Sequence, residues 1–436
     1  MFRPGKKTRR HCPTVATSDD ATGEFSTLWT TSLPGDLLLL IAWHVLAGDF
    51  LDYVRFRVVC KPWHDGTVCP RSRGVADPRF HPRRWLMFPE GHSLHPGHYK
   101  LHGHLRFLNL DTGTFVRVKL PLFRNHCILD SVEGLLLLQR DHDAAVRLLN
   151  PFTGDLAELP PLSTLLPQLE RYRSYLNTDD RWFFIPLGML AAVSCDANAG
   201  TITVMILFHR LKVLAFATTQ DTQWNMPSWD LPPYAGPISF HGKIYYMVQF
   251  PAYGRSLVFQ INPPLQAGSP PLPPKLVATC PMEKLYKGYQ LVECDSRVLL
   301  VGYSRSHILI YKLEDAMLKR FVPVTSIGDR AIFLGYTSLS VSTKAMPTVM
   351  AETVVLRDPE RIYTYTEYHL SNGTWSSAVD TCGIRGYDPG PRSLIQHIIT
   401  CCIRRAWNKG QIFSEKEAEK GGWLIWKVKR KFRHLT

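Results

Sequence analysis

The chain has 436 residues, 45% hydrophobic and 20% charged, enough apolar material for a sizeable core and too much for a disordered protein. A formal charge of +14, from 51 Lys and Arg against 37 Asp and Glu, favours acidic partners without choosing among nucleic acid, membrane surface and protein. The ten cysteines form no C-x-x-C pair, and this scatter predicts reduced thiols in a cytoplasmic or nuclear protein.

Residues 1–29 begin MFRPGKKTRRHCPTVATSDD, which is polar and lacks the apolar centre of a secretory signal. They predict a disordered basic tail in which KKTRR is a candidate nuclear or organellar signal. The longest apolar run, Leu37 to Leu46, contains His44 and falls short of the ~18–20 residues that a membrane span requires. No membrane association is expected.

Residues 30–70 change character and predict a small helical domain. Ser32 can cap a helix, Pro34 is tolerated in its first turn, and Asp36 suits its positive end. That helix is expected to reach about Leu46 and stop near Gly48. Asp49 can cap a second helix, with Leu51, Val54 and Val58 on one face and Phe56 and Cys60 on another. Pro62 is expected to end it. Leu37 to Ile41 are apolar almost all round, so part of that surface must meet another domain or another protein. Cys60, within VVCKPW, has no histidine or second donor at a diagnostic spacing. It reads as a small apolar filler, not a reactive thiol.

The order Leu33-Pro34-x-Asp36-Leu37-Leu38-x-x-Ile41, then Leu46, Asp49 and Phe56-Arg57-x-Val59-Cys60-Lys61-x-Trp63, resembles an F-box across roughly forty residues. The resemblance implies docking onto a Skp-type adaptor and, through it, a cullin. It puts Leu33, Pro34, Leu37, Leu38, Ile41, Leu46 and Val59 at or beside the adaptor, and makes Phe56, Cys60 and Trp63 the residues that hold the helices. His64 stands where an arginine commonly follows the tryptophan.

From about residue 80 to 433 the pattern becomes short apolar runs broken by polar turns, which predicts β-hairpins. Examples are SVEGLLLL (131–138), SFHGKIYYM (239–247), ECDSRVLLV (293–301) and RDPERIYTYT (357–366). FLNLDTGTFVRV (107–118) and LLNPFTGDLAEL (148–159) repeat Asn-x-x-Thr-Gly at an interval of 41 residues. QDTQW (220–224) and LSNGTW (370–375) each place a tryptophan after a polar turn. Irregular repeats of about 40–65 residues suggest a β-propeller, whose radial stacking covers sheet faces and protects edges. The uneven spacing leaves the blade number open, and a β-sandwich is the alternative. GDRAIFLGYTSLSVS (328–342), with Pro347 and Arg361-Ile362-Tyr363, resembles the plant domain of unknown function 295. The ending WNKGQIF (407–413) and WLIWKVKRKF (423–432) is similar to grass members of that family, which couples an F-box to a predicted propeller.

Six histidines crowd residues 81–104: His81, His92, His95, His98, His102 and His104. His98 and His102 have helical metal-ligand spacing, and His102 and His104 would share one side of a strand. No cysteine or carboxylate cluster accompanies them, so loop histidines are expected and no metal or cofactor is assigned. No phosphate loop, nucleophile elbow or H-E-x-x-H motif occurs. Asp141-His142-Asp143 and Asn372-Gly373-Thr374 read as turns. In WKVKRKFR, lysines alternate with apolar residues, which suits an edge strand better than a nucleic-acid groove.

The expectation is a mainly β chain with a small N-terminal α unit, acting as the non-catalytic substrate receptor of a Skp-cullin-F-box ubiquitin ligase. The target protein is not specified by the sequence. A propeller enzyme or ligand-binding protein without an adaptor, and a basic nucleic-acid-associated nuclear factor, are the alternatives.

Overall fold

A proline-led, leucine-rich segment opens the first helix of the chain. The computed structural model describes residues 33–88, 96–175, 189–196, 200–250, 255–264, 269–281, 288–304, 306–335, 338–346, 349–357 and 365–377. The protein divides into two units, Met1–Cys69 and Pro70–Thr436. The basic N-terminal tail, Ser32, His92, His95, Pro347, Arg361 to Tyr363, Cys401, Cys402 and the lysine-rich ending lie outside the described residues.

In the first unit, helix α1 spans Gly35–Gly48, with Pro34 at its N-cap and Asp36 in the first turn. Helix α2, Phe50–Arg57, follows without a loop because the Asp49 carboxylate accepts from Leu51 N at 2.7 Å and Asp52 N at 3.1 Å. The expected face of α2 was wrong. The buried residues are Phe50, Tyr53 and Arg57, whereas Val58 is exposed and Leu51 and Val54 are half-buried. Arg57 tolerates burial because its guanidinium donates to Thr67 Oγ1 and to His64 O, both at 3.1 Å. The Tyr53 hydroxyl donates to Val68 O at 2.6 Å. Pro62 does not end α2. That helix stops at Arg57, Cys60 is extended, and Pro62 sits in the first turn of a third helix, α3, Lys61–Asp65.

In the second unit, sheet one contains β1 (Trp85–Phe88), β2 (His104–Asn109) and β3 (Phe115–Lys119). Sheet two contains β4 (His126–Val132), β5 (Leu135–Arg140), β6 (Val146–Leu149) and β7 (Leu156–Leu159). Sheet three has β8 (Met189–Asp196), β9 (Thr201–Phe208) and β10 (Val213–Thr218). Sheet four has β11 (Ala235–Phe240), β12 (Lys243–Phe250), β13 (Arg255–Ile261) and β14 (Lys275–Pro281). Sheet five is β15 (Gly288–Cys294), β16 (Arg297–Tyr303) and β17 (Ile308–Lys312), followed by the short helix α4 (Leu313–Met317). Sheet six contains β18 (Arg330–Leu334), β19 (Leu339–Ser342), β20 (Thr353–Arg357), β21 (Tyr365–His369) and β22 (Thr374–Ser377), in the order β19-β18-β20-β21-β22. Every named pairing is antiparallel except β18 with β20.

The strands read as apolar runs because both faces of a sheet are covered by its neighbours. On β9, Val204 and Ile206 enter a core shared with Leu137 and Val146 of sheet two. The intervening Met205 and Leu207 enter the next core, with Ile244 and Tyr246 of sheet four. Likewise Leu291 packs towards sheet four and Val292 towards Ile332 of sheet six. The ring closes between the last and first sheets, where Ser342 N donates to Leu110 O at 2.9 Å and Arg330 reaches Asp111 at 2.5 Å. Trp85 and Phe107 then meet Phe152 of sheet two, with ring centroids at 5.2 and 5.4 Å. Among the described residues this is a six-sheet β-propeller, which gives the blade count that the sequence left open.

The repeated Asn-x-x-Thr-Gly units are matching outer hairpin turns. Asn109 Oδ1 accepts from Asp111 N and Thr112 N, and Asn150 Oδ1 accepts from Phe152 N and Thr153 N. Asp141 to Asp143 and Asn372 to Thr374 are turns, as expected from sequence.

Candidate functional site

On α1, Leu38, Ala42 and Leu46 recur every four residues and are buried. The opposite face carries Leu37, Leu40 and Ile41, which are 48%, 54% and 40% exposed. Val58 and Val59, after α2, are 73% and 58% exposed. Of the seven residues assigned to an adaptor surface, Pro34, Leu37, Ile41 and Val59 are therefore accessible, and Leu33 is half-buried. Leu38 and Leu46 are buried within the helical unit, and Gly66 packs against Leu38 so closely that a Cβ there would collide with it. Leu40 and Val58 join the exposed set. Leu40 was hidden in the sequence by an apolar run that does not reveal which side faces inward, and Val58 by being read onto one face of α2 with Leu51 and Val54.

Phe56 and Trp63 stack with centroids 4.3 Å apart, consistent with their expected role in holding the helices. Cys60 is half-buried at the N-cap of α3 and makes no side-chain capping bond. Cys195 and Cys280 are pushed up to about 12, Cys195 by burial and by the Glu133 charge, Cys280 by burial. At that value neither thiol is a ready nucleophile.

A concave feature lies at the mouth of the propeller. The inner strands and their turns bring together Arg83, Arg84, Trp85, Asp130, Glu133, Ile238, Phe240, His241, Glu293, Asp295 and Arg330 around a cavity of ≈ 160 Å³. Three two-residue turns, Glu133-Gly134, His241-Gly242 and Asp295-Ser296, contribute to this mouth through left-handed backbone, with φ from +48° to +80°. They were legible in sequence only as turns. Their convergence was not.

Glu133 organises the mouth. Its carboxylate lies 3.1 Å from both His81 Nδ1 and an Arg83 guanidinium nitrogen, and accepts from Gly242 N at 3.3 Å. Burial alone would raise its pKa, but the His81 bond and the Arg83 charge outweigh it and hold it below the usual carboxylate range. Burial, reinforced by Arg83, lowers the pKa of His241. Arg84 pairs with Asp111 at 3.2 Å, and Arg330 pairs with Asp111 at 2.5 Å and with Asp295 at 2.7 Å. The Asp130 carboxylate is satisfied by Ser131 N and Ala191 N. Glu293 differs: its side chain is exposed, the protein packed around the cavity nonetheless pushes its pKa up, and among the described residues neither a hydrogen bond nor an ion pair holds its carboxyl.

The described histidines of the 81–104 stretch do not come together. His81 is buried between Glu133 and Val75 O, while His98 stacks on Tyr99 and accepts from Lys100 N. His102 has left-handed backbone before β2 begins at His104, so those two do not share a strand face. Among the described residues, no group of three His, Cys, Asp or Glu could hold a metal ion, and no helix is long and apolar enough to cross a membrane.

Two solved structures are remotely similar. A chain of a nidogen/laminin complex is 10% identical over 67% of this chain and 92% of its own, with a TM-score of 0.27. The Cps50 (Swd1) beta-propeller domain of Myceliophteria thermophila is 9% identical over 67% and 98%, at 0.25. Likeness at that level adds nothing to the strand order itself. Comparison with curated proteins gave no match. The KIB1-4 beta-propeller family model, however, matches residues 107–373, from within β2 to the turn before β22. With more than half of the chain matched and six sheets closed in a ring, the protein belongs to the KIB1-4 beta-propeller family.

Proposed function

We propose that this chain is the substrate-recognition subunit of a Skp-cullin-F-box ubiquitin ligase. In this reading the helical unit docks a Skp-type adaptor, which carries a cullin, and the propeller holds a target protein. The observation that carries the reading is the apolar face of α1, where Leu37, Leu40 and Ile41 lie exposed opposite a buried face on the same helix. Burying each such side chain in an interface stabilises it by about 1.5–3 kcal/mol. The chain contributes no reacting group. It raises the local concentration of target lysines at a separate enzyme. Co-purification with a Skp-type adaptor, comparing wild type with a Leu37→Asp, Ile41→Asp double variant, tests this directly. Capture by the wild type alone supports the reading. No capture by the wild type removes it, and equal capture of both places the interface elsewhere.

A further inference from the structure

We propose that the outer edge of sheet one receives an acidic, extended segment of the target, which adds as a strand beside β3 and turns its carboxylates towards Lys119 and Arg124. This rests on the reading that the propeller is the recognition half of the chain, and it names the chemistry of what is recognised.

β3 is the last strand in the order β1-β2-β3, so no strand lies beside its outer edge among the described residues. Asn109 N donates to Thr114 O at 2.9 Å and Leu120 N to Gly103 O at 2.7 Å, and the register between them is unbroken. The even-numbered residues of β3 therefore turn their backbone groups to β2, while Phe115, Arg117 and Lys119 turn theirs outward. An extended peptide satisfies such a row as an added strand. The side chains of the same three residues are exposed. The Arg106 guanidinium lies 5.0 Å from the ring centroids of both Phe88 and Phe115, which holds the Phe115 ring in place beside the edge.

Charge selects what can pair there. Residues 96–124 carry Lys100, Arg106, Arg117, Lys119 and Arg124 against a single acid, Asp111, which Arg84 and Arg330 already hold. Lys100, Lys119 and Arg124 are exposed, and among the described residues their side chains pair with no carboxylate. Leu120 and Gly103, which close the β2–β3 ladder, also line a cavity of ≈ 300 Å³ with His98, Tyr99, His102 and Arg124, and no described acid lines it. An added strand with acids at alternate positions keeps them on one face, one opposite Lys119 and the next towards the Arg124 cavity. A second copy of the chain would bring like charge, and lysine at an edge repels such a partner. Nucleic acid would meet the charge but set its phosphates against the outward carbonyls of β3, so a peptide fits better.

The full-length protein is titrated into fluorescently labelled acetyl-Gly-Glu-Val-Glu-Val-Glu-Gly-amide, its glutamine analogue, the acidic peptide with its backbone amides N-methylated, and a short oligothymidylate, with anisotropy as the readout. The acidic peptide should bind, both peptide analogues should bind at least tenfold more weakly, and oligothymidylate should bind more weakly than the acidic peptide. Lys119→Glu, Arg124→Glu should weaken acidic-peptide binding at least tenfold with an unchanged thermal midpoint. Absence of acidic-peptide binding, equal binding of either analogue, or retention by the double variant overturns the proposal. Binding of oligothymidylate as tight as the acidic peptide also overturns it, making the edge a nucleic-acid surface. The two readings fail separately. A wild-type chain that binds the acidic peptide but captures no adaptor removes only the ligase reading, and the reverse removes only the peptide edge.

Discussion

Asn150 ties the repeat seen in the sequence to the stability of the propeller. It is fully buried, and all four of its side-chain bonds go to backbone. Its amide nitrogen donates to Gly74 O at 2.8 Å and Phe80 O at 3.1 Å, while its oxygen accepts from Phe152 N at 3.0 Å and Thr153 N at 3.2 Å. It thus fastens the segment leading into β1 onto the outer turn of sheet two. Asp155 reinforces the junction by accepting from Ser72 N and Gly74 N. Asn150→Ala leaves four backbone groups unpaired, each costing about 1–3 kcal/mol when sealed from water. Water entering the vacated space relieves part of that, so the expected loss is about 3–5 kcal/mol. Asn150→Asp should be at least as damaging, because it keeps both acceptor bonds but turns a carboxylate towards two carbonyl oxygens. Urea unfolding followed by tryptophan fluorescence measures the change. A loss below about 1 kcal/mol for Asn150→Ala, the ordinary range of a single net hydrogen bond, would refute the reasoning.

Two further outcomes follow from named contacts. Asp49→Ala removes the cap shared by Leu51 N and Asp52 N, and should destabilise α2 by about 1 kcal/mol. Amide exchange across Phe50–Arg57 should then quicken several-fold, and unchanged protection would show that the cap is immaterial. Glu133 has a folded-state pKa below the ordinary glutamate value, so its stabilising effect is full above that ordinary value and is lost as pH falls through the folded pKa. Thermal midpoints from about pH 6 to pH 3 should fall less steeply for Glu133→Gln than for wild type, starting from a lower value at the upper end. Parallel curves would show that the His81 and Arg83 contacts carry no net stabilisation.

Much of the propeller was legible because its local chemistry is repetitive. Polar two-residue turns such as Glu133-Gly134 and His241-Gly242 must adopt left-handed backbone, and both are followed by strands buried on two faces. The blade count was not legible, because the sheets hold from three to five strands and the connections vary. Ring closure was also hidden. Arg330 meets Asp111 from 219 residues away, and no local pattern encodes that pairing. In the helical unit, the buried face of α2 was misread because Arg57 is charged and still turns inward, where Thr67 and His64 O receive it. Leu38 and Leu46 were grouped with Leu37 and Ile41 at or beside the adaptor for a related reason: an unbroken leucine run has no polar side to mark its orientation.

The central claim is that the exposed face of α1 is a docking surface, and quantitative adaptor binding tests it most directly. Immobilised Skp-type adaptor should capture the wild-type chain, and Leu37→Asp, Ile41→Asp should bind at least about 100-fold more weakly. Two buried aliphatic side chains are together worth about 3–6 kcal/mol before the cost of desolvating the new carboxylates. Matching thermal midpoints for the two proteins would show that the folded propeller is intact in both. A wild-type chain that does not bind the adaptor, or a double variant that binds equally well, would contradict the account.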